Sequence, residues 1–288
     1  MAQTKEIRKK IGSVQNTMKI TSAMELVASS KMKKTQDAMK KGKPYSKKIV
    51  ELINNLAGAS SEYKHPFFKT TEEKTDIYIV VSTDKGLCGG LNSNLFKLAL
   101  SNMAEREKEG RKVKALLFGK KATDVFTRLK NAEVIGSASK LGDIPVAEDV
   151  IGSSQIAISD FENGNIGNVY LYANEFINTM TQQPLEKKLL PIASIDNEEE
   201  KRVIWDYIYE PGSKEILDKL LKRYIETQIY QAVIENNACE QAAKMIAMKN
   251  ASENAEEIIK ELQLVYNNAR QASITQELSE IVGGAAAI

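Results

Sequence analysis

The sequence holds only two cysteines, Cys88 and Cys239, and a single histidine, His65. That scarcity narrows the chemistry. The cysteines lie far apart, form no C-x-x-C pair and offer no disulfide framework, which suits a reducing compartment. Both read as buried small hydrophobes. A protein-made zinc site usually draws four ligands from Cys and His, more than this chain supplies, so neither a metal nor a cofactor is expected. A His-based triad would have to use His65, which sits in Tyr63-Lys64-His65-Pro66-Phe67, a turn-like connector, and reads as a linker residue. His-dependent catalysis is not expected.

Long apolar runs are also missing. None approaches the roughly 20 residues that span a bilayer, and the N-terminus has no stretch of signal-peptide type. A cytoplasmic chain without direct membrane insertion is expected. Aromatics are absent before Tyr45, and no proline or glycine lies between Ser213 and Val282. The second absence permits one helix of about 100 Å at roughly 1.5 Å per residue.

What is present is enough for a core: 288 residues, 42% of them apolar, allow one or two domains. The formal net charge of +2 hides an uneven distribution. Residues 1–48 carry thirteen Lys or Arg against Glu6, Glu25 and Asp37. A basic arm of this kind suits nucleic acid, an anionic membrane or an acidic protein partner, or is a solvated helix face.

From Ile7 the seam runs Ile7, Ile11, Val14, Met18, Thr21, Glu25, Ala28, Met32, Thr35, Met39, stepping four and three, which is a coiled-coil repeat. Gly42 and Pro44 predict a kink or short break. Periodicity resumes at Ile49, Leu52, Ile53 and Leu56, and Gly58 with Ala59-Ser60-Ser61 reads as the stop. At the other end, Pro211-Gly212-Ser213 opens a helix whose seam is Ile225, Ile229, Ala232, Asn236, Cys239, Ala243, Ile246. After a phase shift near Asn250 it continues as Ile258, Leu262, Val265, Ala269, Ala272, Gln276, Ser279.

Between the helices lies an α/β alternation. Ile77–Val81, Val113–Phe118 and Val169–Tyr172 read as buried strands, and Leu91–Lys108, Lys120–Leu129 and Val146–Phe161 as helices, which implies a mainly parallel sheet. Alternation from Val203 to Tyr209 suggests one more strand. The expected architecture is a long antiparallel coiled coil of the N- and C-terminal helices with an inserted Rossmann-like α/β domain. Its expected boundaries are 1–58 for the first shaft helix, 75–210 for the α/β domain and 211–288 for the second shaft helix. The second helix would overhang the first by about 25 Å, ending in the small, apolar tip Val282-Gly283-Gly284-Ala285-Ala286-Ala287-Ile288.

The turn Ser82-Thr83-Asp84-Lys85-Gly86-Leu87-Cys88-Gly89-Gly90-Leu91 sits where phosphate loops do, but its glycines do not make G-x-G-x-x-G. Gly119-Lys120-Lys121 lacks the rest of a P-loop. A tight strand-to-helix turn explains both better than nucleotide binding does.

Several segments resemble the gamma subunits of bacterial rotary ATP synthases. They are Lys5-Glu6-Ile7-Arg8, Ser13-Val14-Gln15-Asn16-Thr17, Ile20-Thr21, Ala23-Met24-Glu25, residues 82–92, Asn174-Glu175-Phe176-Ile177-Asn178-Thr179-Met180 and residues 205–211. The most specific is Ala269-Arg270-Gln271-Ala272-Ser273-Ile274-Thr275-Gln276-Glu277-Leu278-Ser279-Glu280-Ile281-Val282-Gly283-Gly284-Ala285. The resemblance covers the whole chain. It implies a non-catalytic central rotor shaft of a proton-translocating ATP synthase, coupling ion flow through the membrane c-ring to conformational change at catalytic sites on the beta subunits. The implied partners are the alpha and beta subunits of the hexamer, the epsilon subunit and the c-ring, with no nucleic acid. The implied location is peripheral, at the cytoplasmic face of the bacterial cell membrane. Met24 with Lys31, Lys33 and Lys34 look like contacts for an acidic lever on beta. Arg270, Gln271, Thr275 and Glu277 match positions that engage the alpha/beta ring, and Tyr207 and Glu210 look like foot residues on the c-ring and epsilon side. Lys244 departs from the arginine frequent in the family and would lose its planar fork. The regulatory cysteine insert of plant plastid members is absent, so thiol regulation is not expected. Other readings are a coiled-coil tether or nucleic-acid-binding protein, which salt-sensitive DNA binding would favour, and a nucleotide-dependent enzyme, which stoichiometric ATP binding would favour.

Overall fold

The computed structural model describes residues 2–59, 65–192 and 213–285. The element order is α1 (Ala2–Ala59), a 3-10 turn (Pro66–Phe68), β1 (Thr75–Val81), α2 (Leu91–Lys108), β2 (Lys112–Phe118), α3 (Lys120–Phe126), β3 (Ala132–Ala138), α4 (Ala147–Glu162), β4 (Asn168–Phe176), β5 (Gln182–Leu190) and α5 (Ser213–Ala285). Compactness divides the chain into two units: residues 30–243, and residues 1–29 together with 244–288. The strand expected from Val203 to Tyr209 lies outside the described residues.

In the unit of residues 30–243 the five strands form one sheet in the order β3-β2-β1-β4-β5. The pairs β1–β2, β1–β4 and β2–β3 are parallel, and β4–β5 is antiparallel. Successive side chains of a strand face opposite ways, and here both ways are buried. Tyr78 and Val80 join Leu95, Ala99 and Phe126 of α2 and α3 on one face. Ile77, Ile79 and Val81 join Ile158 and Phe161 of α4 on the other, together with Ile49 and Ile53 of α1 and Leu217, Leu221, Ile225 and Ile229 of α5. Burying a side chain of this size contributes about 1.5–3 kcal/mol, so the terminal helices belong to the same core as the sheet.

The two edge strands were not expected from the sequence. β5 reads Gln-Gln-Pro-Leu-Glu-Lys-Lys-Leu-Leu and carries Pro184, which is tolerated because β5 is an edge. β3 contains Gly136 and is mostly half-buried. Neither presents the apolar run that marks the three central strands.

The expected break at Gly42 and Pro44 does not occur: α1 is one helix from Ala2 to Ala59 with Pro44 inside it. Pro44 removes the donor to the Lys40 carbonyl, but Lys40 is exposed, so water can take that carbonyl. Met39 before the proline and Ile49 and Ile53 after it are buried, which offsets the cost. Gly42 has a separate reason. A Cβ there would meet Gln231 Oε1 of α5, and Gln231 Nε2 donates to the Met39 carbonyl at 3.3 Å.

In the unit of residues 1–29 and 244–288, α1 buries Ile7 and Ala28 and half-buries Ile11, Val14, Met18, Thr21 and Glu25, as its seam requires. On α5 the seam is Met248, Ser252, Ala255, Ile259, Leu262, Tyr266, Ala269 and Ser273. Thr21 and Ser252 share a hydroxyl hydrogen bond of 2.7 Å. The expected phase is corrected here: Leu262 and Ala269 hold, whereas Ile258, Val265, Ala272, Gln276 and Ser279 are exposed. Ile258 stands beside Ile259 and Val265 beside Tyr266, so apolar character alone does not choose between phases one residue apart.

Candidate functional site

The chain leaves β1 outward through β2 and β3 and returns on the other side at β4. In open α/β sheets that reversal leaves a crevice at the carboxyl ends of the strands, where nucleotides bind. Here α5 occupies it. Asn236 Oδ1 accepts from Asn174 Nδ2 at 2.9 Å, the Cys239 thiol donates to the Asn174 carbonyl at 3.4 Å, and Glu235 accepts from the Phe176 amide at 3.2 Å. Cys239 also shares a buried cluster with Cys88 and Leu91, just beyond β1.

The glycine-containing turn is likewise committed to itself. Asn92 Nδ2 donates to Thr83 Oγ1 at 2.7 Å, and Thr83 Oγ1 donates to the Lys85 carbonyl at 2.6 Å. The Asp84 carboxylate accepts from the Lys120 and Lys140 amides at 3.0 and 2.8 Å. An acid therefore already caps the start of α3, and a phosphate there would meet like charge. Gly119 adopts φ 91°, and a Cβ there would strike the Ser82 backbone. This glycine allows close approach of two turns and does not cradle an anion.

Polar groups elsewhere in the sheet satisfy one another. Arg106 donates to Tyr78, Tyr172 and Glu186 at 2.7, 2.8 and 2.6 Å and stacks 3.6 Å from the Tyr170 ring centroid. Burial works against the Glu186 carboxylate, but hydrogen bonds from Tyr172, Arg106 and Asn102 outweigh it and hold its pKa below the ordinary value. Arg111 grips the fully buried Asp76 through two bonds of 2.6 and 2.5 Å. His65 is not a free linker residue. It is buried, its Nδ1 accepts from the Phe67 amide at 3.1 Å, and its Nε2 lies 3.2 Å from Asp218 of α5. These groups build structure, and none of them meets in a catalytic constellation.

The residues expected to contact partners fall as follows. In the unit of residues 1–29 and 244–288, Ile20 and Val27 are 60% and 57% exposed. Met24 is half-buried, at the rim of the seam. Arg270, Gln271, Thr275 and Glu277 are exposed, and after Ser273 every residue to Ala285 whose exposure is described is exposed. In the unit of residues 30–243, Lys33 and Lys34 are exposed, while Lys31 is half-buried and pairs with Asp143 at 2.8 Å. Tyr207 and Glu210 lie outside the described residues. Lys244 is half-buried.

The sequence reading missed a set of exposed apolar residues: Leu26 on α1, and Leu264, Ile274, Leu278 and Ile281 on α5. The signal was available, since each lies outside both helical seams and so has no intrachain reason to be apolar.

Residues 3–288 match the family described as ATP synthase. An ATP synthase gamma chain of Legionella pneumophila is 54% identical over 291 residues, and one of Nitrosococcus oceani 52% identical over 290, each alignment covering the whole of both chains. A chain of the Euglena gracilis mitochondrial ATP synthase, from a cryo-EM structure of its OSCP/F1/c-ring, shares the fold with a TM-score of 0.67. It is 17% identical, over 99% of this chain and 94% of that one.

Proposed function

From membership of this chain in the ATP synthase gamma-chain family, we propose that it turns as the central shaft of a rotary ATP synthase. The observation that carries this is the exposed end of α5, where Ile274, Leu278, Ile281 and Val282 stand apolar in solvent. An apolar helix surface left uncovered by its own chain is a docking surface. A ring of alternating alpha and beta subunits encloses it, and ATP synthesis and hydrolysis take place on the beta subunits. The c-ring and the epsilon subunit are met through other residues of the chain, Tyr207 and Glu210 among them. Among the described residues no helix is long and apolar enough to cross a membrane. The chain is held peripherally, at the cytoplasmic face of the bacterial cell membrane, through these partners.

The shaft works by differential contact. Otherwise identical beta subunits meet different faces of one asymmetric rotor, and each shifts only as far as that face binds one of its states better than another. Driving a subunit from 1:99 to 99:1 between open and closed takes about 5.5 kcal/mol of such difference. Lys33 and Lys34, exposed beside the ion-paired Lys31, supply charge that steers and registers an acidic surface more than it adds affinity. Met24, with Ile20 and Val27, meets the beta lever, and Arg270, Gln271, Thr275 and Glu277 engage the ring from the exposed part of α5.

Pull-down of the tagged full chain should recover alpha and beta subunits, and Lys33→Gln with Lys34→Gln should keep assembly while weakening the coupling of hydrolysis to ion pumping. Absence of alpha and beta from the pull-down overturns the shaft assignment. Unchanged pumping in the double variant overturns the basic contact alone.

A further inference from the structure

Where α5 passes the end of β4 its buried side chains are small: Ala238, Cys239 and Ala242 are all 0% exposed. Small apolar side chains hold a helix without direction, because burial depends on area and not on angle. A helix seated only in this way can roll. Two asparagines stand among them, Asn174 of β4 and Asn236 of α5, 2% and 0% exposed. One bond of 2.9 Å, from Asn174 Nδ2 to Asn236 Oδ1, joins them. Asn174 Oδ1 and Asn236 Nδ2 are buried without a partner among the described residues. Two half-satisfied amides in an apolar seam contribute less to stability than apolar side chains of the same volume would. What they supply instead is direction, since a hydrogen bond weakens steeply off its axis. We propose that the Asn174–Asn236 pair is a positioning lock that fixes the rotation of α5 on the sheet, so that helix and α/β domain turn as one; its use in the motor rests on the shaft reading above.

Neighbouring contacts of α5 show how rotation is resisted. Asn237 Nδ2 donates to the Gly142 carbonyl and the Tyr230 hydroxyl to the Pro145 carbonyl, each at 3.1 Å, in the loop before α4. Gln231 holds the Met39 carbonyl of α1. At roughly 100° per residue, Asn237 and Tyr230 lie about a third of a turn around the helix from Asn236, and Gln231 about two thirds. The helix is therefore gripped from three sides, and rolling in either sense stretches at least one bond. Within this set the Asn174–Asn236 bond is the one made between two buried side chains, where water does not compete and the low dielectric strengthens it.

The test uses Asn174→Val, Asn236→Ala and the two combined, in the full-length chain and in the assembled enzyme. Valine and alanine together fill about the volume of two asparagines. Each single variant strands the other amide and should lower the melting temperature of the isolated chain, and the combination should restore it to the parental value or above. Hydrogen exchange then separates holding from folding. In the isolated double variant, residues 174–176 and 228–239 should exchange about tenfold faster than in the parent, while β1 and β2 keep parental rates. In the assembled enzyme the double variant should hydrolyse ATP as the parent does and move fewer ions per ATP. Parental exchange in both segments overturns the lock, and so does parental ion movement per ATP. A double variant that melts below the parent makes the pair a support for folding and also overturns it. If the parental chain itself recovers no alpha and beta subunits, the shaft reading fails, and exchange in the isolated chain alone decides the lock.

Discussion

At the residue scale, the buried polar groups set the largest single-site effects. Asp76 is fully buried and depends on Arg111 and on Asn168, which donates at 2.8 Å. Arg111→Met removes the cation that grips Asp76 and should destabilise the chain by about 3–5 kcal/mol, read as a drop in the urea midpoint; a drop under about 1 kcal/mol would mean that the ion pair is not a net support. His65 gives a pH dependence. Burial lowers its pKa, Asp218 and Glu162 oppose this, and Lys222 adds to the lowering. A histidine whose folded pKa lies below its unfolded value contributes stability that is complete above about pH 6.5 and is lost as pH falls toward the folded pKa. The melting temperature should therefore fall on acidification, and His65→Gln should flatten part of that slope. Parallel slopes in parent and variant would assign the loss to other groups.

At the element scale, two glycines separate by what their missing side chains would meet. Gly42→Ala gains about 1 kcal/mol of helix propensity and displaces only the flexible end of Gln231, whose bond to Met39 contributes about 1 kcal/mol; thermal melts should find it near neutral. Gly119→Ala forces a left-handed residue against the Ser82 backbone and should cost about 3 kcal/mol. Equal melting temperatures for the two variants would refute the distinction. Met24 tests the α1 surface. Because it is half-buried at the rim of the seam, Met24→Lys keeps its aliphatic stem over the seam and sends the ammonium to solvent. The variant should assemble and hydrolyse ATP nearly as the parent does, but pump ions less well, most visibly at low salt. Failure to assemble would make Met24 a packing residue, and parental pumping would remove it from the lever contact.

At the scale of the whole molecule, the crevice that serves nucleotides in other open α/β sheets is filled by the chain's own last helix. The isolated chain should therefore hydrolyse no ATP; turnover that survives removal of trace alpha and beta subunits would contradict the shaft assignment. Truncation after Ser273 removes described residues that are exposed wherever their exposure is known, so the melting temperature of the isolated chain should hardly change while recovery with alpha and beta subunits falls. A large loss of thermal stability would show that this tail packs within its own chain.

Much of this was written in residue order. The Ile7-to-Met39 seam and the absence of proline and glycine from Ser213 to Val282 dictate two long helices, because a period of 3.5 needs only local spacing. Ile77–Val81, Val113–Phe118 and Val169–Tyr172 announce central strands because burial on both faces demands continuous apolar runs. The C-terminal signature from Ala269 to Ala285 carried the family, and with it the function. Tertiary structure alone decided what depends on neighbours distant in sequence. Edge strands β3 and β5 carry weak patterns because half their surface stays wet. The α5 phase at Ile259 and Tyr266 is chosen by the partner helix, since the adjacent Ile258 and Val265 are equally apolar. Gly42 could be read as a break until Gln231 stood opposite it. The meeting of Asn174 with Asn236 is invisible to spacing, because no local rule relates the end of the fourth strand to the middle of the last helix.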